Sequence, residues 1–346
     1  MRVWISAGEI SGDRLAARLV DALGRQNPSL EFAGLAGPAM RAAGVDVKAN
    51  AMDFALSGWS SVAPRLPWLV WNGLRMLREA KRFRPDLAVV VDSPGLHRPV
   101  LRAMRREGTR CAWLAPPQLW AWRDRVVPEL RGLEAYPLHR FEAAALEKTG
   151  AHVHWFGFPG ERRSFSFDDQ VAMPNLALLP GSRPSWRARH EDLFREAAER
   201  AALPLRPIVA IPDGICPKEG EGNVGDVLRE SALALALPGT GVLEAALAGV
   251  PSVVAARPGA IDSWIARRRL VEGRFSLPNR ILAEDLIPEC LGNPTAIELA
   301  DRLRSLWESR DAVRSRLARL HEEMGPQDAM DSIADDLLEG SDRIRQ

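Results

Sequence analysis

Short apolar runs, each closed by a glycine, a proline or an acid and followed by a longer amphipathic run, recur along this chain and limit its fold more than any other feature. The clearest is Leu87-Ala-Val-Val-Val-Asp92. A continuous apolar run with β-branched residues needs cover on both faces, which parallel sheets sandwiched between helices provide. The alternation of such runs with helical patterns predicts a βαβ protein. Strands are expected at residues 3–7, 31–35, 87–91, 111–114 and 152–156. A second series follows at 176–179, 208–211, 233–237 and 252–255. Residues 14–24 carry apolar positions at Leu15, Leu19, Val20 and Leu23, the spacing of a helix with one buried face. The polar, irregular stretch 160–174 separates the two series and marks a domain boundary, and residues 296–338 read as helical and charged. Two α/β domains facing a central cleft are expected, with ligands beyond the carboxyl ends of the strands.

Composition narrows the function. In 346 residues, 46 Lys and Arg meet 45 Asp and Glu, a net charge of +1. A nucleic-acid binder would carry a clear basic excess, so nucleic acid is not expected as a partner. Cys111, Cys216 and Cys290 are isolated and lack metal-ligand spacing, which reads as reduced thiols in a cytoplasmic protein. No signal peptide is read at the start of the chain. No apolar run approaches the roughly 20 residues that cross a bilayer, so a soluble or peripheral protein is expected.

The candidate chemistry sits at predicted strand ends. Asp92 directly follows a buried strand, where partial desolvation suits a carboxylate to take a proton from an attacking hydroxyl; capping the next segment is the other reading. Ser6-Ala-Gly8-Glu9-Ile-Ser11-Gly12-Asp13 is a strand-to-helix turn whose acids would repel a pyrophosphate. A sugar is the better guest, and a tight turn with a helix cap is the alternative. In the second series, Pro238-Gly239-Thr240-Gly241 offers backbone amides for phosphate oxygens, and Glu244 one turn on could accept ribose hydroxyls. Leu179-Pro-Gly181-Ser182-Arg183 adds a positive charge for a departing diphosphate. Together these turns point to a nucleotide diphosphate. No metal ligand set is read: His152 and His154 alternate on one strand without a third partner. Among 11 Trp, Trp59, Trp68 and Trp71 cluster with Leu66, Leu69, Val70 and Leu74 and are bordered by Arg65, Arg75 and Arg78. The stretch reads as an interfacial segment or as an ordinary helix core.

Taken together, the motifs resemble those of the lipid-A-disaccharide synthases, glycosyltransferases of the two-domain GT-B type. Ser6 to Asp13 resembles A-G-E-x-S-G-D, Gly34-Leu-Ala-Gly-Pro-Ala-Met40 resembles G-x-x-G-P-x-M, and Asp92-Ser-Pro94 resembles D-x-P. Pro116-Pro-Gln118-Leu-Trp120-Ala-Trp122-Arg123 resembles S-P-x-x-W-A-W-R; Leu178 to Arg183 and Ser276-Leu-Pro-Asn279 complete the series in order. The resemblance implies an inverting, metal-independent transfer needing no cofactor: UDP-diacylglucosamine as donor, diacylglucosamine 1-phosphate as acceptor, and UDP as leaving group. By that analogy Asp92 is the base and Glu9 lines the acceptor side. Ser11, Gly12, Gln118, Trp122 and Arg123 bind substrate, while Ser182, Arg183, Gly239, Thr240, Gly241, Glu244 and Asn279 hold UDP. Trp59, Leu66, Trp68, Leu69 and Trp71 become a docking segment for the inner membrane surface. The implied domains are residues 1–163 for acceptor and membrane, 164–308 for the UDP-sugar, and 309–346 as C-terminal helices returning to the first domain, where exchange between chains would give a homodimer.

The chain departs from the motifs in both halves. Gly95, Leu96 and His97 stand where D-x-P-x-F-N is usual, Phe158 and Arg162 replace the His and Asp of G-H-P-x-x-D, and Pro238 replaces the Ser of S-G-T. Two other readings therefore remain: a catalytically silent binder of nucleotide sugar or lipid, and another UDP-N-acetylglucosamine-type transferase or epimerase of the same architecture.

Overall fold

The computed structural model describes residues 1–51, 66–121, 127–160, 162, 173–181, 184–211, 217–259 and 273–343. In chain order the elements are β1 (Arg2–Ala7), α1 (Ile10–Gln26), β2 (Glu31–Ala36), α2 (Pro38–Ala42), β3 (Asp46–Asn50), α3 (Leu66–Phe83), β4 (Leu87–Val91), α4 (Pro94–Arg106), β5 (Arg110–Leu114), β6 (Glu134–Tyr136), α5 (Ala143–Glu147) and β7 (His152–Val153). They continue with β8 (Asn175–Leu179), α6 (Pro184–Ala201), β9 (Arg206–Ile211), β10 (Glu221–Asn223), α7 (Val224–Arg229), β11 (Ser231–Ala236), α8 (Thr240–Leu247), β12 (Ser252–Ala256), α9 (Leu277–Ile281), β13 (Glu289–Leu291), α10 (Ala296–Leu317), α11 (Leu320–Glu323) and α12 (Ala329–Arg343).

The chain forms two compact units: residues 1–160 together with those from 324 onward, and most of the stretch between. The first contains a seven-stranded sheet in the order β3-β2-β1-β4-β5-β6-β7, the second a six-stranded sheet in the order β10-β9-β8-β11-β12-β13. Every pairing is parallel. Both are therefore Rossmann-like α/β units. In each, strand order reverses next to the unit's first strand, between β1 and β4 and between β8 and β11. Crossovers leave from opposite faces at such a point, opening a crevice at the carboxyl ends.

The central strands β4, β8, β11 and β12 are buried along their whole length, as their unbroken apolar character requires. Four strands are absent from the sequence reading: β6, an internal strand of only three residues, and three short polar ones. β3, β10 and β13 close the sheet edges and lack an apolar run because only one flank is paired. β7 stops at Val153, earlier than expected: Trp155 beyond it turns against Gly325.

The domain expectation changes at the C-terminal end. α10 is one continuous helix of 22 residues packed on α6, so a boundary at 308 would cut through it. Residues up to Glu323 stay with the second unit. Only the last helix joins the first unit: Met330, Ile333, Ala334 and Leu337 of α12 enter the core beside Leu19, Val20 and Leu23 of α1. Each large side chain buried there contributes on the order of 1.5–3 kcal/mol. Tyr136 Oη donates to Asp336 at 2.6 Å, and the Arg110 guanidinium bonds the Leu337 carbonyl, tying the helix to the ends of β6 and β5.

Candidate active site

At the first reversal, the ends of β1 and β4 lie side by side, with Ala7 paired to Val91. The glycine-rich turn therefore meets the Asp92 segment. A Cβ on Gly8 would stand 2.7 Å from Ser93 Oγ and 3.0 Å from Leu96, so only glycine lets the two turns close to this distance. Glu9 is the half-buried residue at the start of α1. Asp13, one turn on, is buried, and its carboxylate accepts from the amides of Gly37 (2.7 Å), Ala39 (2.8 Å) and Met40 (3.3 Å), fixing the neighbouring β2–α2 turn.

Asp92 and Ser93 take successive left-handed conformations, φ 53° and 45°. Each costs an L-residue about 1–2 kcal/mol, so surrounding contacts must hold them. The Asp92 amide donates to Leu114 O at 3.1 Å. Its carbonyl accepts from His97 Nδ1 at 2.7 Å and from Trp113 Nε1 at 3.3 Å. His97 is fully buried, and burial pushes its imidazole down to about 4, so the ring is neutral.

Beyond β5 the chain turns through Ala115, also left-handed at φ 54°, into the helical turn Leu119–Ala121. Trp120 Nε1 donates to Glu142 Oε1 at 3.0 Å, while Glu142 Oε2 accepts from the amides of Leu138 and His139, both at 3.1 Å. Burial, with the Asp92 charge adding to it, raises the Glu142 carboxyl to about 7 despite these three donors. His139 stacks between Phe141 (centroids 5.6 Å) and Phe158 (5.4 Å), and burial lowers it to about 4. Phe158, the departure from G-H-P, thus closes an aromatic stack. Glu142 and His139 escaped the sequence reading; the only signal was an acid and aromatics grouped within residues 136–142, just after β6, a strand the sequence did not announce.

At the second reversal, Leu237 N donates to Leu179 O at 3.1 Å, bringing the two glycine turns together. Gly181 (φ 91°) packs against Leu237, where a Cβ would meet its Cδ1 at 2.8 Å. Gly239 takes φ 149°, a conformation that favours glycine, with no described atom within 4 Å of an added Cβ. Gly239 and Thr240 are exposed at the start of α8, whereas Gly241 and Glu244 are half-buried. Beside α8, α9 contributes Asn279 and Arg280 to a cavity of about 790 Å³ whose rim also carries Arg274 and Arg302.

The expected residues divide into groups. The structure brings Glu9 and Asp92 to one crevice and Gly239, Thr240, Gly241 and Glu244 to the other; Ser11 and Gln118 are exposed. Gly12 is buried, and a Cβ there would contact Ala7 and Val91. Asn279 lines the cavity and also takes a structural part. It is 2% exposed. Its amide donates to Ile287 O at 2.7 Å and Glu289 Oε1 at 3.0 Å and accepts from the amides of Leu286 and Ile287, so its polar atoms are engaged in holding that loop. Trp122, Arg123, Ser182, Arg183 and Trp59 lie outside the described residues, as do the side chains of Leu66, Trp68 and Leu69. Trp71, also in α3, is 60% exposed beside Val70 and Leu74.

The family model described as lipid-A-disaccharide synthetase matches residues 3–204 and 218–323. The chain belongs to this family. It is 32% identical to the lipid-A-disaccharide synthase of Azotobacter vinelandii (strain DJ / ATCC BAA-1303), with 99% of each chain covered, and 32% identical to that of Solibacter usitatus (strain Ellin6076), with 93% of each covered. Among solved structures it resembles the glycotransferase of kitacinnamycin (TM-score 0.64, 14% identity, 98% of each chain). It also resembles the UDP-GlcNAc 2-epimerase from Neisseria meningitidis bound to UDP-GlcNAc (TM-score 0.60, 10% identity, 98% of this chain and 100% of that one). The fold is GT-B and the family member is a glycosyltransferase of lipid A biosynthesis. No helix among the described residues is long and apolar enough to cross a membrane.

Proposed function

We propose that this lipid-A-disaccharide synthetase family member condenses UDP-2,3-diacylglucosamine with 2,3-diacylglucosamine 1-phosphate by a single inverting displacement. Asp92 takes the proton of the acceptor's primary hydroxyl. The hydroxyl oxygen then bonds the anomeric carbon from the face opposite UDP, the bond to the diphosphate breaks, and UDP leaves with that electron pair. Glu9, with Ser11 and Gln118 near the same crevice, orients acceptor hydroxyls. The amides of Gly239, Thr240 and Gly241 and the Arg183 guanidinium neutralise the leaving diphosphate, and Glu244 takes the ribose. No metal ion is required where amides and a guanidinium carry that charge.

The observation that supports this reading best is the coincidence of each motif with a strand-order reversal: the acid-bearing turn in one unit, the amide-bearing turn in the other. Exposed Val70, Trp71 and Leu74 on α3, with basic residues following, suit docking on an anionic membrane surface where both acylated substrates reside.

UDP release from UDP-diacylglucosamine, measured with and without diacylglucosamine 1-phosphate, tests the assignment. Release that needs the acceptor, survives EDTA and falls by about 10²–10⁴-fold in Asp92→Ala fits general-base transfer. A folded wild type that binds the donor yet releases no UDP would instead make the chain a silent binder.

A further inference from the structure

The left-handed pair Asp92–Ser93 raises a question the motif does not answer: what keeps the base in a conformation that L-residues avoid? The Asp92 carbonyl is the contact point. It can only accept hydrogen bonds, so the nitrogen 2.7 Å away, His97 Nδ1, must carry the ring's proton. That fixes Nε2 as a bare acceptor. Nε2 is buried and has no hydrogen-bond partner among the described residues. An aliphatic side chain would fill this space without leaving a polar atom unpaired, so the ring's contribution here is the Nδ1 proton. The same residue closes the turn from its backbone side, its amide donating to Ser93 O at 3.1 Å. Gly8 presses on Ser93 from β1, leaving the pair little room to relax.

We infer that His97 is a positioning residue for the transfer reaction: its Nδ1–H holds the Asp92 backbone left-handed and thereby aims the Asp92 carboxylate, without itself meeting substrate. This rests on Asp92 being the base. His97 is one of the positions where the chain leaves the motif, so a change that resembles lost function instead supports the base.

Turnover of UDP-diacylglucosamine with the acceptor is measured for the wild type, His97→Leu, His97→Asn, Asp92→Asn and the His97→Leu/Asp92→Asn pair. Misaiming a base can cost on the order of 10²-fold, so His97→Leu should lose about that much kcat while its KM for the donor stays near the wild-type value. His97→Asn, which restores an N–H donor, should recover most of the loss. Adding His97→Leu to Asp92→Asn should lower turnover little further, because both act through one carboxylate. A His97→Leu enzyme with wild-type kcat, an Asn variant no better than Leu, or full additivity would each overturn the proposal. Wild-type turnover in Asp92→Asn would sink the base assignment itself, and this proposal with it; an inactive Asp92→Asn beside a fully active His97→Leu would sink only the role of His97. If His97→Leu does not fold, nitrogen-15 NMR of the wild-type imidazole decides the point. The Nδ1–H tautomer is expected, and Nε2–H would overturn the assignment.

Discussion

The two strand-order reversals share a topology and differ in how they are finished. In the first unit, side chains lock the carboxyl edge. Asp13 gathers three amides, His97 and Trp113 converge on one carbonyl, and Glu142 binds an indole and two amides. In the second, the corresponding turn leaves Gly239 and Thr240 exposed, and Gly239 has no described atom near a prospective Cβ. The difference matches what the proposed function asks of each edge. A base works only if its carboxylate points at one hydroxyl, which calls for a rigid side chain. A diphosphate is met by main-chain amides, which need close approach and little support.

Alanine at the two glycines tests this contrast most sharply. In Gly8→Ala the new methyl collides with Ser93 and Leu96 and displaces Asp92, the proposed base; turnover should fall on the order of 10²-fold with donor KM unchanged. Gly239→Ala meets no neighbour but forces φ 149° on an L-residue, so the turn should change shape at a cost of roughly 1–3 kcal/mol. The expected result is a donor KM raised roughly 5–150-fold with less effect on kcat. Equal kcat losses in both variants would erase the distinction drawn between the edges.

The same contrast explains what could be read from the sequence. Strands such as Leu87–Val91 and the glycine turns after them were legible because burial on both faces and tight turns leave local marks. The edge strands β3, β10 and β13 carry no such mark. Glu142 was invisible for another reason: its partner Trp120 is 22 residues away, and no spacing rule joins a helical turn to the end of another strand. Asn279 shows the opposite limit. Its residue type fits a ligand contact, but only the structure shows that the 286–289 loop has engaged the amide. His97, too, reads as a departure until its ring is seen on the Asp92 carbonyl.

Glu142→Gln sharpens the comparison at a smaller scale. The amide oxygen can keep the Leu138 and His139 amides, but its NH2 faces the Trp120 indole N–H, donor against donor. The expected loss is about 1–3 kcal/mol in the first unit, seen as a lower melting temperature and a shifted Trp fluorescence. Unchanged Trp emission would mean that Glu142 does not hold the indole.

The smallest effect is a pH dependence built from opposing contributions, and it belongs mainly to the first unit. His97 and His139 lie near 4 when folded against 6.5 when unfolded. Between those values the unfolded chain binds more protons, so their contribution is complete above about pH 6.5 and is lost as pH falls toward 4. Glu142 runs the other way, raised to about 7 from 4.5. Its contribution is complete below about pH 4.5 and is lost as pH rises through 7. From about pH 5.5 to 7, each histidine adds about 1 kcal/mol and Glu142 removes between about 1 and 2 kcal/mol. These three groups together should therefore raise wild-type stability by only about 1 kcal/mol across that range in denaturant titrations, with buried His190 adding in the same sense. Glu142→Gln removes the opposing member, so its stability, lower at every pH, should climb by about 2 kcal/mol over the same interval. A variant with the wild-type slope would show that Glu142 is ionised in the folded protein throughout, and that its three donors outweigh its burial.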